Sequence, residues 1–200
     1  KINKSEKGFV SFKVKSIILL IVSFMMGSAA SSKWLIVLQY INQFPFNLKD
    51  PIFLKDVSFY VFSLPSFLML WNFIIKCIII TAILTVLHYL QYIKWNFGGS
   101  DIHTGQISEN PFSTKKILEG FKKNSMIHLS ILGSLFFIFL AIRHYLSRFS
   151  IMHSKSGMVV GAGYADIVAY LPIVKFLMIF AIIIAILIIV WIFYFSNNPK

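Results

Sequence analysis

Three aspartates and two arginines are the residues best placed to do chemistry outside the apolar runs of this chain. Asp50 and Asp56 lie in "FNLKDPIFLKDVSFYVFSLPSF", and Asp166 lies in "GAGYADIVAYLP". Arg143 and Arg148 are the only arginines among 19 basic residues. In a chain that otherwise uses lysine, two planar guanidiniums near three carboxylates point to bidentate ion pairing. Arg148 is expected to pair with Asp166 or Asp56, joining two loops, with Arg143 directed the same way. The same aspartates could instead serve as acid, base or metal ligand, but no motif specifies a reaction. No residue is assigned a catalytic, cofactor-binding or metal-ligating role. His88, His128, His144 and His153 show no ligand spacing.

Lys76 is the second feature, a cation inside a long apolar run. It follows Pro65 by 11 residues, roughly 16 Å along a helix. If the bilayer begins near Trp71, its ammonium reaches the interface; if it begins at Pro65, Lys76 is an intramembrane polar site that needs a partner. Lys33 and Lys175 lie near span ends, where snorkelling accounts for them. No Asp or Glu falls within an apolar run, which weighs against a proton-driven pump.

The elements that must carry these residues are set by composition. Of 200 residues, 58% are hydrophobic and 13% charged, and mean hydropathy is +0.78. Soluble domains average about 25% charged residues. The net charge of +12 comes from lysines flanking the apolar runs, as topology signals and contacts to anionic lipid do, and no nucleic-acid motif accompanies it. Cys77 is the only cysteine, so no intrachain disulfide forms. The chain opens on Lys1 without a signal-peptide pattern and reads as an internal piece of a longer protein.

The expected fold class is all-α: a polytopic membrane protein in which residues 1–200 form a single transmembrane region. A bilayer core of ~30 Å needs about 20 apolar residues as helix, and four segments qualify: 16–40, 64–93, 125–146 and 171–195. Five lysines precede the first span and five lie in the 94–124 loop. Each of the loops 43–63 and 147–170 holds two basic residues. That bias makes the N-terminus, the 94–124 loop and the C-terminus cytoplasmic in a cell-membrane protein, and turns the other two loops outward. Trp34, Trp71, Trp95 and Trp191 fall near span ends as interfacial anchors.

Local signals refine the picture. Asp50 before Pro51 suits a helix N-cap with proline at N1, so "DPIFLK" should form one short turn. Asp56 suits a cap for the next piece. Pro65 and Pro172 are expected in first turns, opening the second and fourth spans. "GSAASS", residues 27–32, offers a small-residue face for close helix packing, which Gly133 with Ser130 or Ser134 could meet. In the 94–124 loop, Ser113 should cap a short amphipathic helix with Phe112, Ile117, Leu118 and Phe121 on its apolar side.

"WLIVLQYINQFPFNLKDPIFLKDVSFYVFSLP", followed by "HLSILG", "SRF" and "GAGYADIVAYLP", resembles uncharacterised protein family 0182 of bacterial membrane proteins. Trp34, Asn42, Pro45-Phe46, Asp50 to Phe53, Asp56, Phe59-Tyr60, Phe62 and Leu64-Pro65 occupy the family's recurrent places. Departures are Asn47 and Leu54 where glycine is usual, Ser147 where Asp often precedes Arg148, and Ala165 where Thr often precedes Asp166. The resemblance implies a seven-span protein with a large extracellular C-terminal part, in which these four spans would be the third to sixth. It brings no activity with it. The leading expectation is therefore a non-enzymatic anchor or scaffold whose structured outer re-entry loops dock an extracellular domain or envelope partner. Its partners would be the lipid bilayer, the protein's own missing spans and its extracellular part, with no nucleic acid and no cofactor. The alternatives are a transporter or channel component built around Lys76, Asn72 and Thr81, and an outer-face membrane enzyme.

Overall fold

The computed structural model describes residues 4–97, 123–154 and 161–197, with side chains described over 16–89, 125–154 and 161–194. The amphipathic helix expected at Ser113 lies outside the described residues. Within them the chain is helical: α1 (Lys4–Ser31), α2 (Trp34–Ile41), α3 (Leu64–Phe97), α4 (Lys123–Ser147) and α5 (Leu171–Asn197). The chain divides into two compact units, Lys1–Met69 and Leu70–Lys200.

Three helical stretches are long and apolar enough to cross a bilayer: Phe59–Tyr89, Ser125–His153 and Asp166–Tyr194. The expected first span, 16–40, is not one continuous helix. It breaks between Ser31 and Trp34 and bends by 49°, so a fourth crossing exists only if the bent pair counts as one span. The cause lies in "GSAASS". The Ser32 hydroxyl donates to the Ala29 carbonyl at 2.9 Å, and Lys33 N–H bonds Ala30 C=O rather than the carbonyl four back. Serine back-bonding and a tightened turn bend a helix. The small residues thus sit at a bend; a Cβ on Gly27 or on Gly133 would meet nothing within 4 Å, so neither glycine marks a close helix contact among the described residues.

The prolines also sit differently from expectation. Helix begins ahead of each, as a π-helical turn over Phe59–Ser63 and another over Asp166–Tyr170. In both, the N–H of the leucine before proline reaches back five residues, Leu64 to Phe59 and Leu171 to Asp166. A proline ring collides with the carbonyl four residues back and leaves it without a donor. Widening the preceding turn to the π spacing relieves that collision and lets the helix run through. "SLP" and "YLP" are therefore the same device used twice, inside the helices rather than at their starts.

In the second unit α4 packs along α5. Their seam buries small side chains, Ala141, Ala181 and Ala185, together with Ser134 and Val174. Small residues let backbones approach where lipid supplies no hydrophobic drive. Beyond α4 a 3-10 helix, Arg148–His153, buries Phe149 and Ile151. Gly161, at φ +140°, returns the chain by donating its N–H to Ser154 C=O at 2.9 Å.

Candidate functional site

The loop between α2 and α3 is built from its two carboxylates. Asn42 ends α2, donating both its backbone N–H and its side-chain amide to Leu38 C=O at 3.1 and 2.9 Å. The chain then reverses on itself. Asp50 N–H bonds Lys55 C=O at 2.8 Å, Val57 N–H bonds Leu48 C=O at 2.9 Å, and Lys49 lies antiparallel to Asp56. Asp50 starts a single helical turn with Pro51 at N1, where no N–H is needed. Its Oδ1 accepts Ile52 N–H at 3.1 Å; its Oδ2 accepts Phe53 N–H at 2.6 Å and the Tyr60 hydroxyl at 2.9 Å. Asp50 is 4% exposed. A buried carboxylate with three donors is a structural acceptor, held away from substrate and ready-made for closing a loop.

Asp56 caps the helix that leads into α3. Its Oδ1 accepts Ser58 N–H at 2.8 Å and Phe46 N–H at 3.1 Å. The backbone N–H of Ser58, then its hydroxyl, hold the Asp56 carboxyl below the ordinary aspartate value of 3.8; partial burial opposes them weakly and the Phe46 and Asn47 N–H groups add to them. A carboxylate whose folded pKa is depressed stabilises the fold above its unfolded pKa, and that contribution disappears as pH falls through the folded value. The loop is accordingly expected to keep its order at pH 5 and to loosen only below about 3.8. Amide exchange at Ser58 and Phe46 should accelerate over that window. An Asp56→Asn variant, which keeps an acceptor but cannot titrate, should show no such step.

Two residues of this loop stand in left-handed backbone, Asn47 and Leu54, each at φ 56°. Leu54 terminates the Asp50 turn, donating its N–H to Asp50 C=O at 3.0 Å, the position where a helix end favours glycine. Asn47 tolerates the conformation through its short polar side chain; a leucine there is strained. Leu54 is 71% exposed, so little packing offsets the strain. Leu54→Gly is expected to raise stability by about 1 kcal/mol, and Leu54→Val to lower it. A rise in the thermal midpoint of the glycine variant checks this; an unchanged or lower midpoint would refute it.

Aromatic rings cover the framework. Phe44, Phe46 and Phe62 form a triangle with centroids 5.2 to 5.8 Å apart. Tyr40 meets Phe67 edge-on at 5.8 Å, and the Lys55 ammonium lies 5.8 Å from the Phe59 centroid. Two serines tie the loop's ends. Ser63 Oγ donates to Gln43 Oε1 at 2.8 Å, and Ser66 Oγ lies 3.2 Å from Ile36 C=O and 3.0 Å from Phe62 C=O.

In the second unit the arginines turn to aromatic faces. The Arg148 guanidinium lies 4.2 Å from the Tyr145 centroid and 4.7 Å from that of Phe149. Asp166 accepts Gly163 N–H at 3.0 Å, a back-bond at the start of its helix. Asp166 is thus held by its own turn, and among the described residues no ion pair joins it to Arg148. A weakly hydrated planar cation is stabilised over a ring face at a partly buried position. Arg143 lies 5.5 Å from the Trp71 ring, whose indole N–H donates to Phe139 C=O at 2.6 Å. The Tyr89 hydroxyl meets His128 Nδ1 at 2.9 Å. These two bonds join α3 to α4 in antiparallel order. Lys76 is exposed on α3. The sequence pattern did not single out Trp71, Tyr89 or His128 as partners. Their only signal was a polar atom on an apolar helix, which needs a hydrogen bond somewhere.

The comparisons with known proteins agree with the motif reading. The model of the uncharacterised protein family UPF0182 matches residues 5–199. A UPF0182 protein of Desulforamulus reducens is 34% identical over 172 residues, covering 86% of this chain and 17% of that protein. One from Clostridium botulinum strain Loch Maree is 31% identical over 183 residues, covering 91% and 19%. One from Desulfitobacterium hafniense strain Y51 is 34% identical over 158 residues, covering 79% and 15%. The chain thus spans less than a fifth of the length of these relatives. No solved structure matches it. With its loop motifs in place and nearly its whole length matched, the chain belongs to the uncharacterised protein family UPF0182.

Proposed function

We propose that this chain is the membrane-embedded scaffold of a longer protein, and that its aspartate-locked loop is a docking platform for that protein's extracellular part or for an envelope partner. The observation that carries the reading is the division of labour in residues 42–58. The carboxylates turn inward and hold the backbone, while apolar side chains stand outside: Phe44 is 60% exposed, and Leu48 and Leu54 are exposed beside it. A rigid loop that displays apolar rings suits contact with a partner more than contact with water. The lysine bias favours the extracellular side for the loops 43–63 and 147–170. A transport path would require Lys76 to line a polar cavity, whereas its exposed position on α3 suits a side chain that reaches an interface.

Two measurements test the proposal in the full-length protein. In a cysteine-free version, a single cysteine at Ser58 should react with an impermeant maleimide added from outside; protection in intact cells with reaction after lysis would reverse the orientation. Phe44→Ser with Leu48→Ser should release the extracellular part after a protease cut in the linker that joins it to the membrane region. Retention of that part by the double variant, with the fold intact, would rule out docking on this loop.

A further inference from the structure

Residues 43–63 contain two lysines and two aspartates and no other formal charge, so the loop between α2 and α3 is neutral by count. The fold unbalances that count at the surface. Asp50 is buried and accepts Ile52 N–H, Phe53 N–H and the Tyr60 hydroxyl. Asp56 is half-buried and accepts Ser58 N–H and Phe46 N–H. Both negative charges are taken up by the loop's own donors. Lys49 and Lys55 are exposed, and neither forms an ion pair among the described residues. The Lys55 ammonium lies 5.8 Å from the Phe59 centroid, a contact with a ring rather than with a counter-charge. Lys49 lies antiparallel to Asp56, and Asp50 N–H bonds Lys55 C=O, so the two lysines stand on neighbouring strands one position out of line. Beside each is an exposed leucine, Leu48 and Leu54, and Phe44 is exposed on the same loop.

We infer that this loop receives an acidic, apolar peptide segment of the longer protein's extracellular part, whose carboxylates meet Lys49 and Lys55 while its apolar side chains cover Phe44, Leu48 and Leu54. The inference rests on the docking reading above and names the chemistry of the docked partner. Charge complementarity selects it. An uncharged apolar surface would cover the rings but take two ammoniums out of water without compensation. A polyanion without apolar groups would meet the ammoniums and leave the rings wet. An anionic bilayer holds its charge and its apolar groups in separate layers, whereas here cation and leucine are chain neighbours twice, Leu48-Lys49 and Leu54-Lys55. A peptide mixes the two at that spacing, and the long lysine stems let each ammonium follow a carboxylate. The carboxylates of this chain's own two outer loops, Asp50, Asp56 and Asp166, each accept backbone N–H groups. The chain spans less than a fifth of the length of its relatives, so the length that could supply an acidic segment lies outside these residues.

The test is zero-length carbodiimide cross-linking of the full-length protein in phosphatidylcholine vesicles, read by peptide mass spectrometry. Lys49 or Lys55 should be joined to an Asp or Glu beyond residues 1–200. Links confined to Asp50 or Asp56, or none from either lysine, would overturn the inference. So would lysines that are shielded from acetylation only in phosphatidylglycerol vesicles, which would assign the loop to an anionic lipid surface. A second readout is retention of the extracellular part after a protease cut in its linker. Lys49→Gln or Lys55→Gln should speed its release about threefold each, and about tenfold together. Lys→Arg at both positions should restore retention, which a loss of packing alone would not predict. Raising salt from about 0.05 to about 0.5 M should speed release from the unaltered protein and have little effect on the double glutamine variant. Release by Phe44→Ser with Leu48→Ser, but not by the double glutamine variant, would refute the acidic partner and leave docking standing. Retention by both double variants would refute docking itself, and this inference with it.

Discussion

Asp50→Ala is expected to destabilise the first unit by roughly 3–5 kcal/mol, a large fraction of an ordinary domain's margin of about 5–15 kcal/mol. The carboxylate is the acceptor for Ile52 N–H, Phe53 N–H and the Tyr60 hydroxyl, and Tyr60 is itself buried. Alanine leaves all three donors without that partner, and an orphaned buried donor costs about 1–3 kcal/mol. Two controls separate the contributions. Tyr60→Phe removes one donor and keeps the carboxylate on its backbone partners, so it should cost about 1–1.5 kcal/mol. Asp50→Asn keeps one oxygen but turns an NH₂ toward a donor, and should fall between the two. Thermal unfolding of the full-length protein in detergent, with limited proteolysis between Phe46 and Phe59, provides the measurement. An Asp50→Ala midpoint within experimental error of the unaltered protein would mean that the loop is not held by this side chain. Because the proposed docking platform rests on the same framework, loss of the loop should also weaken retention of the extracellular part.

Phe149→Ala should have an effect of similar size in the second unit, about 3–5 kcal/mol. Phe149 is 1% exposed, the largest fully buried side chain among the described residues. It meets Tyr145 edge-on at 5.7 Å and carries the Arg148 guanidinium on its face. Truncation opens a cavity beneath the 3-10 turn and removes half of the surface on which Arg148 rests. Phe149→Leu keeps most of the volume and should cost less than about 1.5 kcal/mol. Phe149→Tyr would force a hydroxyl into a site with no room for its solvation and should be destabilising despite the ring's retention. The check is the shift in thermal midpoint with far-ultraviolet helicity unchanged at low temperature. Equal midpoints for the alanine and leucine variants would show that Phe149 does not fill a packed site.

The sequence by itself determined the helical class, the membrane-competent apolar runs and the family, because each depends only on composition, run length or local order of residues. Apolar stretches of 20 or more residues have no other economical fold, since a helix satisfies its backbone within one segment. The aspartate–proline turn and the capping role of Asp56 were equally legible, because a cap is a contact between residues two or three apart. Glycine being usual at 47 and 54 in the family carried a message that the motif alone did not explain: the backbone there is left-handed, and Asn47 and Leu54 adopt it without glycine's freedom. Tertiary structure decided what lies beyond that range. The break at Ser32–Lys33 depends on which carbonyls the serine hydroxyl and the turn amide reach. The π turns before Pro65 and Pro172 depend on the helix having begun upstream, which turns a starting proline into an interior one. Which aromatic faces lie beside Arg148 is likewise set over a few ångströms by packing that sequence spacing does not encode. Charge count alone pointed to an ion pair; only the folded chain shows Tyr145 and Phe149 against the guanidinium and the Gly163 N–H on Asp166.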